Sequence, residues 1–342
     1  MTKIALLLAA ATIPIALDFS ASPAQAQANR TFVSGKGTDT GTCALDAPCR
    51  TFAFAILQTA MYGEIDVLDS ADYGYVFIDK PVSIVNEGPG VAGIQAGPGQ
   101  TAIAIRTRGP VYLRGLTLDG LGPGYNGIDQ GGAFLTVTNC TIRNFAYSGI
   151  GIQPYESLGN GAGFHISNST ISGIYNGYGI SAVGSGGQSG SPYGITGYID
   201  HTLVLRNYHG IAILTQNPPT GSVINVTIRD SNVSGNLYDA VAVNDANVTI
   251  LNSVLADNQN GLEHSVSTSP PTSRVVVRNS VATGNSANGL LTNGILMLSQ
   301  TAVISNKIGV TNSGTVNSYG DNEIDGNGTD ISGSPLKLLS KQ

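Results

Sequence analysis

The sequence predicts an all-β fold, a solenoid in which short parallel strands stack coil upon coil, and three observations predict it. A Gly-aliphatic step recurs at Gly149-Ile150, Gly179-Ile180, Gly210-Ile211, Ala240-Val241, Gly261-Leu262, Gly289-Leu290 and Gly309-Val310, at intervals of 30, 31, 30, 21, 28 and 20 residues. Nine to eleven residues before each step stands a polar turn residue: Asn139, Asn168, Asp200, Asp230, Asn252, Asn279 and Ser299. Between the two, stretches such as 226–236 and 248–258 alternate in strands of three to five residues, too short and too rich in Gly for helices. One part of each repeat is therefore constant while another absorbs insertions. A unit of about 20 residues with three short strands cannot bury its apolar side alone and must stack on its neighbours.

The chain opens with Lys3, the apolar run 4–17 and then Ala24-Gln25-Ala26-Gln27-Ala28, the order of a secretory signal peptide over residues 1–28, with cleavage after Ala26 or Ala28. That run is shorter than the roughly 20 residues a membrane-spanning helix needs. The expectation is a secreted or periplasmic protein with no membrane insertion. Charged residues make up only 11% of the chain against 41% hydrophobic and 45 glycines, a balance that folds rather than staying disordered. The net charge of −6 argues against nucleic acid as a partner, because phosphate neutralisation needs a basic face. Cys43 and Cys49 enclose five residues in a Gly/Pro-rich stretch, which in an exported protein points to a local disulfide. Cys140, inside a strand pattern, reads as a buried small side chain, and no Cys/His spacing fits zinc.

Stacking gives the turn residues a role. Asn139, Asn168, Asn252 and Asn279 are expected to form a structural ladder of side-chain amides, each bonded to the next coil, with Asp200 as a substitute rung. The same ladder accounts for their N-x-S/T sequons.

With this repeat, with the N-terminal stretches 30–41 and 47–74, and with SYGDNEIDGNGTD at 318–330, the chain over about residues 31–333 resembles the bacterial right-handed parallel β-helix repeat proteins, relatives of the pectate-lyase-like superfamily. The resemblance implies a single-stranded right-handed parallel β-helix with a short N-terminal capping helix, here at about residues 50–59. Its division is 1–28 signal peptide, 29–80 cap and first coil, 81–333 β-helix and 334–342 C-terminal tail. It also implies that any ligand lies along the sheet carrying the Gly-aliphatic strands, beside the variable loops 153–163, 183–197, 214–222 and 265–273. Tyr155 and Tyr193 in those loops offer faces for sugar stacking.

The outward residues of that sheet are expected to be Gly151, Ser181, Ala212, Ala242, Glu263, Leu291 and Thr311, of which Glu263 alone is ionisable. This row supplies no acidic ligand set for Ca²⁺, so no metal and no cofactor is expected. The row just before the step is richer: Ser148, Tyr178, His209, Asp239, Asn260, Asn288 and Ile308. At a coil rise of about 4.8 Å, His209 comes within hydrogen-bond reach of Asp239, and Tyr208 stacks on Tyr238. His209, Asp239 and Glu263 are the candidate catalytic groups, and Tyr155, Tyr193, Tyr208 and Tyr238 the candidate substrate contacts. The bland alternative is a solvated turn ladder, aromatic on aromatic and His on Asp. His209-Gly210-Ile211 resembles the His-Gly step of polygalacturonases, but Gly177-Tyr178-Gly179 and residues 240–243 replace the Asp pair and basic step that those enzymes carry in the neighbouring coils.

Three functions stay open. The absent catalytic set favours a protein that binds a polysaccharide or cell-envelope glycan without turnover. The others are a polysaccharide lyase or glycoside hydrolase with a non-standard site, and a structural or adhesive surface protein. Monomer and trimer are both compatible with the sequence.

Overall fold

The computed structural model describes residues 27–88, 90–132, 134–155, 161–185, 194–216, 223–267 and 273–340. They form a right-handed parallel β-helix. Three parallel sheets of 13, 11 and 11 strands run the length of the molecule, each complete coil contributing one strand to each and the first sheet having one further strand at either end. One coil shows the pattern. Phe134–Thr138 lies in the 13-stranded first sheet, a two-residue turn leads to Thr141–Arg143 in the second, and Ser148–Ile152 lies in the third. The chain then returns to the first sheet at Gly161–Ser167, beside Phe134–Thr138. Parallel strands of one sheet need such crossovers, and the right-handed sense is the one strand twist favours.

Register makes the core. Ile103, Ile128, Ile150, Ile180, Ile211, Val241, Leu262, Leu290 and Val310 stand one above another in the third sheet, each within 1% of full burial. A second column, from Ile65 through Ile84, Leu113, Val137, Ile166, Ile199, Ile228, Ile250, Val277 and Leu298, faces it from the first sheet. Each rung is a β-branched or Leu side chain packed on its like, which suits the pleated surface. The glycine that precedes most third-sheet rungs is there because coils touch, while Ala102 and Ala240 precede Ile103 and Val241. A Cβ on Gly210 would lie 2.4 Å from the Ala240 carbonyl oxygen and 2.6 Å from Val233 Cγ1.

The N-terminal end is covered as expected, by a helix slightly shorter than predicted, Phe52–Gln58. Thr51 caps it by accepting from the Phe54 N–H, and Asp39 fixes the approach by accepting from Arg50 N, Thr51 N and Thr51 Oγ1. Phe52, Ala55 and Ile56 face the first coil, where Phe52 meets the buried Tyr73 ring at 5.0 Å. Cys43 and Cys49 are disulfide-bonded, and their backbones pair with Phe32 on the first strand. The segment read as a tail carries one further strand, Lys337–Leu338, on the first sheet.

The ladder differs from expectation in a specific way. The turn row is Asn139, Asn168, His201, Asp230, Asn252, Asn279 and Gln300, all with positive φ between 49 and 56° apart from His201 at 48°. His201, not Asp200, therefore takes the turn in its coil, and Gln300, not Ser299, in the last. Asp200 instead ends the strand Gly194–Asp200. Among the described residues, side-chain bonds of this row join Asp230 to Asn252 and Asn252 to Asn279, at 3.1 and 2.7 Å. Between Asn168 and Asp230 stands an imidazole, which interrupts the amide series.

The continuous amide ladder lies elsewhere, buried at the turn between the second and third sheets. Asn207, Asn236, Asn258, Asn285, Asn306 and Asn327 each accept at Oδ1 from the backbone and side-chain N–H of the preceding rung where one exists. A hydroxyl ladder runs beside the first row: Ser169, Ser231, Ser253 and Ser280 each accept from the backbone N–H one coil earlier. Cys140 occupies the same kind of site, buried, with Sγ 3.4 Å from the Thr138 carbonyl oxygen, and burial pushes its thiol up to about 11. It is a packed side chain and no nucleophile.

Candidate functional site

The row expected at the leading edge of the third sheet forms as predicted. Ser148 pairs with Tyr178 and Tyr178 with His209, while Asp239, Asn260 and Asn288 follow in register. His209 Nδ1 lies 3.0 Å from Asp239 Oδ2, and Asn260 Nδ2 donates to Asp239 Oδ1 at 2.8 Å. Behind Asn260 the chain of bonds continues: Asn288 Nδ2 donates to Asn260 Oδ1 at 2.8 Å, and Thr311 Oγ1 to Asn288 Oδ1 at 2.6 Å. Asp239 is thus both the partner of a histidine and the end rung of a polar ladder, which holds its carboxylate in one orientation.

Glu263 reaches the same place from the outward row of the next coil, where it stands beside Ala242. Burial and the negative Asp239 alongside raise its carboxyl above the ordinary range. For Asp239 burial acts in the same upward direction, but the bonds from His209 and Asn260 outweigh it and hold the carboxyl low. The two neighbouring carboxyls are thus shifted in opposite directions, Glu263 upward and Asp239 downward.

The aromatic residues close around this pair. The His209 ring is sandwiched between Tyr178 at 5.2 Å and Tyr238 at 5.1 Å, and Tyr208 packs on Tyr238 at 4.6 Å. Ring faces that the sequence offered to sugars are in large part spent on one another, leaving edges and hydroxyls outward. Tyr155 is placed at a distance, in the coil after that of Asp129. The Arg106 guanidinium covers its ring at 4.6 Å and donates to its hydroxyl at 3.2 Å, while Gly131 packs beneath it. Tyr193 lies outside the described residues.

Sequence reasoning missed a second cluster, on the outer face of the first sheet. His165 Nε2 is 2.6 Å from Asp200 Oδ1, His201 Nδ1 is 3.0 Å from Asp200 Oδ2, and Arg229 Nη2 is 3.6 Å away. Burial pushes Asp200 up, but the bonds from His201 and His165 outweigh it and hold its carboxyl low. The signal was a spacing of one coil between His165 and Asp200, hidden because Asp200 was assigned to the turn. Among the described residues no group of three or more His, Cys, Asp or Glu side chains is arranged to hold a metal ion. No helix among them is long and apolar enough to cross a membrane.

No family model matches the chain, and no curated protein does. Solved structures do. A pectate lyase superposes with a TM-score of 0.48 at 15% identity, over 86% of this chain and 75% of its own. A periplasmic alginate epimerase gives 0.46 at 11%, over 81% and 77%, and a rhamnogalacturonan lyase 0.42 at 11%, over 84% and 75%. At these identities the likeness is one of fold, the stacked parallel coils described above.

Proposed function

We propose that the protein is an exported glycan-binding β-helix whose binding edge is the row Tyr178, Tyr208, His209, Tyr238, Asp239 and Glu263. The observation that carries this reading is the 3.0 Å contact of His209 Nδ1 with Asp239 Oδ2, beside Glu263 and between the rings of Tyr178 and Tyr238. It sets a donor, an acceptor and several phenol hydroxyls on a rigid edge, an arrangement suited to a hydroxyl-rich ligand. Export rests on the leader-like residues 1–28 and on the Cys43–Cys49 disulfide, which persists in oxidising compartments.

A lyase is the second reading, and the His209–Asp239 bond favours it. With Asp239 ionised, His209 donates from Nδ1 and presents Nε2 as a base. Nε2 would take the proton next to a uronate carboxylate, and the electron pair left behind would expel the glycosidic oxygen, which leaves an unsaturated sugar.

The test is incubation of the mature protein with acidic and neutral polysaccharides, following unsaturated-product absorbance and reducing ends beside a binding assay. Binding without turnover supports the first reading. Unsaturated product supports the second, and silence in every channel removes both.

A further inference from the structure

Outside the third sheet, the strongest unexplained feature is a groove on the outer face of the first sheet near its C-terminal end. It has a volume of about 920 Å³ and is lined by Val276, Arg278, Met297, Gln300, Tyr319 and Leu339. A smaller hollow of about 240 Å³ with Asn247, Thr249 and Arg274 adjoins it, and Val276 lines both. Together they run along the solenoid axis across the strands Asn247–Leu251, Arg274–Arg278, Ile295–Ser299 and Thr315–Ser318. At about 4.8 Å per strand, that is the length of a short linear oligomer.

Its charge is anomalous. The chain carries 22 acidic against 16 basic residues. The other arginines on this face are neutralised: Arg30 by Asp66, Arg114 by Glu87 at 3.5 Å and Arg229 by Asp200 at 3.6 Å. Arg274 and Arg278 are both exposed, and neither makes an ion pair among the described residues. Arg278 Nε makes only a long contact of 3.5 Å with Gln300 Oε1. An acidic protein thus leaves two guanidinium groups unpaired beside an apolar floor of Val276 and Met297.

We propose that this groove binds a linear carboxylated glycan, its carboxylates on Arg274 and Arg278 and its C–H faces on Val276 and Met297. A guanidinium fork matches a carboxylate in two parallel bonds. An acidic peptide fits less well. Peptides dock on sheets by adding a strand at an edge, and this floor is a sheet face whose main-chain groups are spent in the ladder. Beside the guanidinium, amide and phenol groups that suit carboxylates and hydroxyls, the groove carries the hydroxyls of Ser299 and Ser340 and one carboxylate, Asp321. Asp321, which accepts from Ser299 Oγ at 3.1 Å, stands on the far wall and directs the anionic groups toward the arginines. The site lies on a different sheet from the His209 edge and does not depend on the reading given for that edge.

The experiment is calorimetric titration of the full chain with a galacturonate tetramer, its methyl ester and a glutamate tetrapeptide. It is run on the wild type, on Arg274→Ala/Arg278→Ala and on Asp239→Asn/Glu263→Gln. The binding event at the groove is expected in the wild type and, whatever the third-sheet variant loses at its own edge, in that variant too, weakening as salt rises. The arginine variant should lose about tenfold or more, the loss of one charge-assisted bond. Both arginines are exposed, so an unchanged thermal midpoint is expected for that variant. No binding to the wild type, equal binding of the ester or the peptide, unchanged binding to the arginine variant, or a loss confined to the third-sheet variant would each overturn the proposal.

Discussion

Asn258 donates twice to a single acceptor, the Oδ1 of Asn285 one coil further on, from its backbone N–H at 3.1 Å and from Nδ2 at 3.2 Å. Both residues are buried, at 3% and 1% exposure, so no water replaces these bonds. Asn285→Ala removes the acceptor and strands a buried backbone donor, and it also deletes the bonds from Asn285 Nδ2 to Asn306 and Leu255. The expected cost is about 3 kcal/mol. Asn252→Ala, in the exposed ladder, loses only solvated bonds and should cost about 1 kcal/mol, mostly for Ala at its φ of 49°. Urea midpoints of the two variants check the ranking, and equal midpoints would sink the assignment of the buried ladder as the stronger one.

The coils themselves were legible because the Gly-aliphatic step marks a recurring coil-to-coil contact that leaves no room for a Cβ at Gly210 and its glycine equivalents, with Ala240 the exception among the seven steps. The buried ladder left a trace too, in the recurrent Asn236, Asn258, Asn285 and Asn306, but those residues sit among polar turn residues that look alike in sequence. Only register separates a rung that points inward from one that points to solvent. The same limit moved Asp200 from turn to strand end, since an error of one residue exchanges faces. For the site, the stacking of His209 on Asp239 followed from coil spacing alone. The opposite shifts of Glu263 and Asp239 did not, because they depend on burial and on the partners each side chain meets in the fold, and neither composition nor period encodes that. The arginine groove was hidden for a related reason: which arginines lack a partner is a property of the folded surface.

His264 gives the chain a built-in acid sensitivity. Its ring is buried at 1% exposure, with Nδ1 3.0 Å from Thr292 Oγ1 and Nε2 3.2 Å from Ser273 Oγ. Burial lowers its pKa from 6.5 to about 4, only partly countered by the charge of Asp245. As pH falls below 6.5 the unfolded chain takes up this proton first, so the contribution is complete above 6.5 and is lost progressively down to about 4. Over that window of about 2.5 pH units the loss amounts to about 3 kcal/mol. In urea unfolding the wild type should lose stability relative to His264→Gln as pH falls from 6.5 to 4, and keep a constant difference from it above pH 6.5. Parallel pH profiles would exclude His264 as the source.

Glu263 should give glycan binding the opposite pH trend to that of an ordinary carboxylate contact. Burial and the charge of Asp239 raise its pKa, so it stays neutral at pH values where a free glutamate is ionised. The titratable side chains facing it are Asp239, whose pKa is held low, and His209 on the far side of Asp239. As pH rises through the raised Glu263 pKa, a second negative carboxylate forms beside Asp239 and the edge loses a neutral donor for a sugar hydroxyl. Affinity for a neutral oligosaccharide is therefore expected to be highest in acid and to fall as pH rises. In Glu263→Gln the amide is a neutral donor at every pH, so the variant should bind like the wild type in acid and hold that affinity as pH rises. Asp239→Asn leaves the ladder from Asn260 and Asn288 an amide to continue into, so the fold survives, but it removes the ionised acceptor that orders His209. That variant should lose about tenfold in affinity, the worth of one charge-assisted bond. A Glu263→Gln profile that falls with pH as the wild type does would show that the Glu263 carboxyl has no part in binding.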